Sequence, residues 1–150
     1  MMHRIVLLLV LVSGICFAQD SFVDLLRSDI KAKKVEIIKK EMKFSEEEAE
    51  KFWPVYKQYG KELSEINLRE LKLIQRYIHF YQKMSDETAE VLYEESLKIK
   101  KKRLSLEEKY FSKASKALSP KIAAKFIQIE NIISQLVRLQ VYSELPVLKK

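Results

Sequence analysis

Few side chains in this sequence suit catalysis or metal binding. The only thiol is Cys16, and the imidazoles are His3 and His79. A tetrahedral metal site needs several donors converging on one point, and His79, Met42 and Met84 stand at separations that form no such box. His79 is expected as a partly exposed helix residue. No Gly-rich phosphate loop, histidine cluster or nucleophile elbow is present. The expectation is therefore a protein without catalytic residues, cofactor or metal. What the sequence does offer is charge and aromatic surface. Lys98, Lys100, Lys101, Lys102 and Arg103 form a dense basic run, and Trp53 and Tyr56 lie in an aromatic stretch upstream. Together these seven residues are the candidate partner surface, with the basic positions expected to be exposed. Gln128, Glu130 and Asn131 sit among apolar anchors, so some of them should be partly buried and need partners. Either a hydrogen-bond network between helices or a ligand site would supply them.

The elements that carry these residues read as helices throughout. Almost no glycine, with abundant Lys, Glu, Leu and Ile, is the composition of an all-α chain. The dominant element is 44–81. Every seventh residue from Ala49 gives Tyr56, Leu63, Glu70 and Tyr77, and from Phe52 gives Tyr59, Ile66, Leu73 and Phe80. That is a heptad seam with one polar exception, Glu70. Trp53, Leu71, Ile74, Ile78 and Tyr81 widen it, so the helix should meet more than one neighbour. Roughly 38 residues would span about 57 Å. Pro54 and Gly60 predict a bend near 53–60, because proline removes a backbone donor and glycine weakens the helix interior; it either curves the helix around its core or forms the base of a concave aromatic-lined surface.

The expected helices are 22–42, 46–83, 86–116 and 120–143, arranged as an elongated antiparallel set of helical hairpins without strands. The first should bury Phe22, Leu26, Ile30 and Ile37 and expose Lys31, Lys33, Lys34, Lys39 and Lys40. Leu92, Ile99 and Leu106 define one line of the third helix, and Leu97, Leu104 and Phe111 another. The fourth should bury Phe126, Ile129, Ile133, Leu136 and Val137, and residues 145–150 should form a loose tail after Pro146.

Residues 1–18 have the form of a secretory leader: Arg4, an apolar run, then small residues before a cleavage point after Ala18. The run is too short for a spanning helix, and Ile15 is too large to precede a lipidated cysteine. Cleavage would remove Cys16 and leave a thiol-free domain over 19–150, excluding disulfides and cysteine chemistry. The balance is basic, 28 Lys+Arg against 21 Asp+Glu for a net charge of +7. For an exported protein this favours acidic polypeptide or anionic envelope lipid over nucleic acid as the partner.

Three helix starts share one pattern: Phe44-Ser45-x-x-x-Ala49-x-x-Phe52, Met84-Ser85-x-x-x-Ala89-x-x-Leu92 and Leu118-Ser119-x-x-x-Ala123-x-x-Phe126. Each pairs an apolar staple with a serine N-cap at Ser45, Ser85 or Ser119. Glu48 completes a capping box with Ser45, and Pro120 fits the first helical position, where its missing N–H costs nothing. With the leader and the cysteine-free helical domain, the pattern resembles the LTxxQ signature of the Spy/CpxP-like periplasmic proteins. Phe44-Ser45-Glu46-Glu47-Glu48 matches with Phe for Leu, Ser for Thr and Glu for Gln, and Leu118-Ser119 keeps only the first two positions, with Ser for Thr. The resemblance covers helix starts and layout, not the whole chain. It implies a curved antiparallel helical homodimer in the envelope that binds unfolded proteins without ATP or restrains a stress-sensing kinase. A structural or adaptor protein, docking on a partner or on anionic lipid through a basic helix face, is the competing expectation.

Overall fold

A computed structural model describes residues 29–148, with side chains from residue 33 onward. Four helices account for nearly all of it: α1 (Asp29–Met42), α2 (Glu46–Phe80), α3 (Asp86–Ala117) and α4 (Pro120–Ser143), with a 3-10 turn at Tyr81–Lys83. No strand occurs among the described residues. The leader, Cys16, the expected start at 22 and the apolar positions Phe22, Leu26 and Ile30 lie outside the residues or side chains described.

The three serine caps are in place. Glu48 N–H donates to Ser45 Oγ at 3.2 Å and Ser45 N–H donates to Glu48 Oε2 at 2.9 Å, a reciprocal capping box. Thr88 N–H donates to Ser85 Oγ at 3.1 Å, and Ile122 N–H to Ser119 Oγ at 3.2 Å beside Pro120. The Phe44 staple packs on the Phe52 ring, with centroids 4.5 Å apart. Replacing any one serine with Ala is expected to cost about 1 kcal/mol. Urea melts check this, and three unchanged midpoints would contradict it.

Lys43, between α1 and α2, adopts φ 52°. Its N–H reaches Lys39 O at 3.3 Å, which closes the last turn of α1 in the left-handed manner usually given to glycine. The 35 residues of α2 rise about 53 Å. This helix runs without a break through Pro54, which lies inside it with its side chain at the surface.

Antiparallel hairpins α2–α3 and α3–α4 form the body of the fold, and α1 lies against α4. The core gathers Ile38 and Met42 of α1, Phe52, Tyr59, Leu63 and Ile66 of α2, Ile99, Leu106, Tyr110 and Ala114 of α3, and Ala123, Phe126 and Ile127 of α4. Its centre is aromatic. Phe126 meets Phe52, Tyr56 and Tyr59 edge-on at 5.2, 5.9 and 5.4 Å, and Tyr59 meets Tyr110 at 5.3 Å. Toward the far tip of the α2–α3 hairpin, Leu71, Ile74 and Leu92 are buried as well.

Several expected faces are rotated. On α1, Ile38 and Met42 are buried while Ile37 is 41% exposed. Lys34, expected on the solvated side, turns inward to a carboxylate on α4. On α4 the buried set is Ala123, Phe126, Ile127, Glu130 and Val141, and Leu136 is 62% exposed. The helix rests on α3 and α1 through that stripe, so its long aliphatic side chains at 132, 136 and 139 face out. Nor is the tail loose over its described part. Tyr77 and Tyr81 hydroxyls donate to the Pro146 and Val147 carbonyls and hold it against the tip of the hairpin.

Candidate functional site

Two carboxylates are buried among the described side chains, and both join helices distant in sequence. Glu130 of α4 is 2% exposed. Lys34 Nζ of α1 donates to its Oε2 at 2.6 Å, and the Tyr56 hydroxyl of α2 approaches its Oε1 at 3.4 Å. Glu70 of α2, the polar exception in the heptad seam, is 7% exposed. Arg103 of α3 donates to its Oε2 at 2.6 Å, Arg138 of α4 at 3.3 Å, and the Tyr142 hydroxyl donates to its Oε1 at 2.9 Å. Asn67 Oδ1 accepts a further Arg103 bond at 2.9 Å.

Between these clusters α1, α2 and α4 leave a cleft of about 580 Å³. Trp53, Tyr56, Gly60 and Leu63 form its α2 wall, Ile133 and Val137 its α4 wall, and Val35 and Lys39 close the α1 side. Lys39 Nζ stands 5.6 Å from the Trp53 ring centroid. Arg103 and Arg138 also line the cleft, and the buried Arg103 Nε has no hydrogen-bond partner.

The seven candidate partner residues are therefore divided. Trp53 and Tyr56, both half-buried, belong to the cleft. Lys98, Lys100, Lys101 and Lys102 are exposed on α3. Arg103 corrects the expectation of a uniformly exposed run, since its side chain is only 17% exposed and bonded to Glu70. The reason is helical phase. Ile99, Arg103, Leu106 and Tyr110 form one inward stripe, and a guanidinium in that stripe requires a buried anion. Of the polar trio on α4, Glu130 carries the interhelix network, Asn131 is half-buried and Gln128 is exposed. His79 is exposed, its ring edge-on to Phe80 at 4.7 Å.

A second surface escaped the sequence reading. Phe111 of α3 and Ile132 of α4 share a shallow depression, and both are exposed, at 39% and 52%. Antiparallel pairing then brings Leu104, seven residues before Phe111, opposite the region of Leu136 and Leu139, which are 62% and 69% exposed. The signal was available in the heptad line Leu97, Leu104 and Phe111, which competes with the buried line through Ile99 and Leu106.

Five tyrosines are biased toward the neutral phenol, among them Tyr77, which is raised by burial and by the neighbouring Tyr81. Burial, then the hydrogen bond to Glu62 at 2.8 Å, pushes Tyr110 up to about 12. Burial and the Glu70 charge push Tyr142 up to about 12. Tyr56 and Tyr59 are raised by burial and by the Glu130 charge. Hydrogen bonds from Lys109 and Tyr110 hold the Glu62 carboxyl below the usual carboxylate range. Unfolded tyrosine titrates near 10, so between about pH 10 and 12 the folded chain binds more protons than the unfolded one, and stability must fall as pH rises. Alkaline unfolding is expected to begin above about pH 10 and to accompany phenolate absorbance, with full stability retained below it. Ionisation of all the tyrosines at pH 10 with unchanged helicity would contradict this.

No helix among the described residues is long and apolar enough to cross a membrane, and no group of three or more His, Cys, Asp or Glu side chains there converges as a metal site would. Comparison with protein-family models, curated proteins and solved structures yields no match to this chain.

Proposed function

We propose that this is an exported helical binding protein, mature from Gln19, that captures unfolded polypeptide in the envelope without nucleotide. The observation that carries this reading is the outer face of α3 and α4. Leu104, Phe111, Ile132, Leu136 and Leu139 stand uncovered there, and the same α3 exposes Lys98, Lys100, Lys101 and Lys102. Uncovered aliphatic and aromatic side chains concentrated on one face mark an interaction surface. Neighbouring cations speed encounter with acidic segments. The repeated serine-capped helix starts and their resemblance to the Spy/CpxP-like proteins add support.

The deciding measurement is aggregation of an unrelated unfolding protein, followed by light scattering with and without the purified mature chain. Protection without ATP is expected. Leu136→Glu with Leu139→Glu should reduce it while leaving helicity unchanged. Reversing the four exposed lysines to Glu should slow capture at low salt and matter little once the screening length shrinks to about 8 Å. Equal protection by every variant would sink the reading. Such a face also suits a second copy of the chain, and a monomer in sedimentation at micromolar concentration would assign it to clients alone.

The competing adaptor reading rests on those lysines, which form no ion pair among the described residues. Cosedimentation with anionic vesicles, lost on charge reversal and unaccompanied by client protection, would favour it. Intact mass of the exported protein tests the start at Gln19, and a lipid attached to Cys16 would overturn it.

A further inference from the structure

The geometry points to a small-molecule site in the cleft between α1, α2 and α4, one that takes a free fatty-acid carboxylate with its head at Lys39 and Lys57 and its chain passing Gly60 toward Val137.

At about 580 Å³ the cleft is the size of small-molecule sites, which are mostly apolar with a few placed polar groups. Its charges all have one sign. Lys34, Lys39, Lys57, Arg103 and Arg138 line it, and among the described residues no carboxylate does. Three of these cations are paired from behind, Lys34 with Glu130 and the two arginines with the single carboxylate of Glu70, which leaves the inner end of the cleft with a net positive charge. Lys39 and Lys57 form no ion pair among the described residues, and both are exposed at the Trp53 end. An anionic head group would supply the charge they lack. The guanidinium groups of Arg103 and Arg138 at the other end of the cleft add positive potential along its length.

The wall between these ends suits a single acyl chain. Lining positions on α2 run from Trp53 to Asn67, a rise of about 21 Å. A Cβ added at Gly60 would meet nothing within 4 Å, so the middle of that wall faces open space. The apolar lining lies between helices, where a flat bilayer cannot reach it. The occupant is therefore a molecule that enters alone.

Trp53 is the only tryptophan in the sequence and reports directly from the cleft. The purified protein would be titrated with mid-chain-brominated dodecanoate below its micelle concentration, reading Trp53 quenching. Saturable one-to-one quenching is expected. Competition by unlabelled acids should tighten about fourfold per methylene from octanoate to dodecanoate. Dodecyltrimethylammonium should bind at least tenfold more weakly. Gly60→Leu should abolish binding by filling the open space, whereas Gly60→Ala should bind nearly as the parent does and melt slightly higher. Lys39→Gln with Lys57→Gln, at two exposed positions, should weaken dodecanoate about tenfold without loss of helicity, and serves as the second variant if Gly60→Leu fails to fold.

Absence of saturable quenching, equal binding of the cationic amphiphile, unchanged affinity in both the Gly60→Leu and the double-lysine variants, or quenching seen only with anionic vesicles would each overturn the assignment. The result is independent of client capture, since Gly60 and Leu136 lie on different faces.

Discussion

Replacing Glu130 with Leu is expected to destabilise the fold by about 3–5 kcal/mol, the usual cost of breaking a buried ion pair by removing one partner. Lys34 would keep its ammonium in a site where its side chain is 13% exposed, and the Tyr56 hydroxyl would lose its acceptor. The loss does not measure the attraction between the charges. Most of it is the cost of leaving one charge without a partner in a poorly solvated place. Removing both charges, as in Lys34→Met with Glu130→Leu, should therefore recover most of the stability, and a double-mutant cycle in urea would show strong coupling. Additive single losses would mean that the two side chains do not meet.

The second large effect is expected at Glu70. Glu70→Leu should cost about 3 kcal/mol, toward the lower end of that range because its partners differ in their access to water. Arg103 would retain only the Asn67 carbonyl, whereas Arg138, with its side chain 32% exposed, can turn to solvent. Arg138→Ala should thus cost less than Glu70→Leu, because Glu70 would keep Arg103 and Tyr142 as partners. Arg103→Glu should be severe, since it would place two carboxylates together in a buried site. Urea midpoints rank the three variants, and a mild Arg103→Glu would show that Arg103 belongs to the exposed basic run after all.

Local rules carried much of the fold. Ser45, Ser85, Ser119 and Pro120 mark helix starts because capping involves residues only three positions apart, and the seam of α2 was visible because Phe52, Tyr59 and Ile66 repeat every seven. Arg103 and Lys34 were misplaced for the opposite reason. Each belongs to a basic cluster in one dimension but to an inward stripe in three, and the carboxylate that draws it inward comes from another helix. Glu70 was recognisable as an oddity in the seam, although nothing local to it identifies Arg103, Arg138 or Tyr142 as its partners. Of the cleft, only an aromatic concave surface at the Trp53–Gly60 stretch was legible, because its other walls come from helices distant in sequence.

The Lys34–Glu130 contact also has a consequence in time. Its partners are 96 residues apart, and α1 lies chiefly against α4. During vectorial synthesis, α2 and α3 can pair as soon as both have emerged, since their contacts close through a short turn. The first helix can touch α2 early, with Lys34 over Tyr59 and Lys39 over Trp53, but its chief neighbour α4 emerges last of the four. The first helix must wait, with its lysine ammonium in water, until α4 has emerged, so among the four described helices the one made first gains its main partner last.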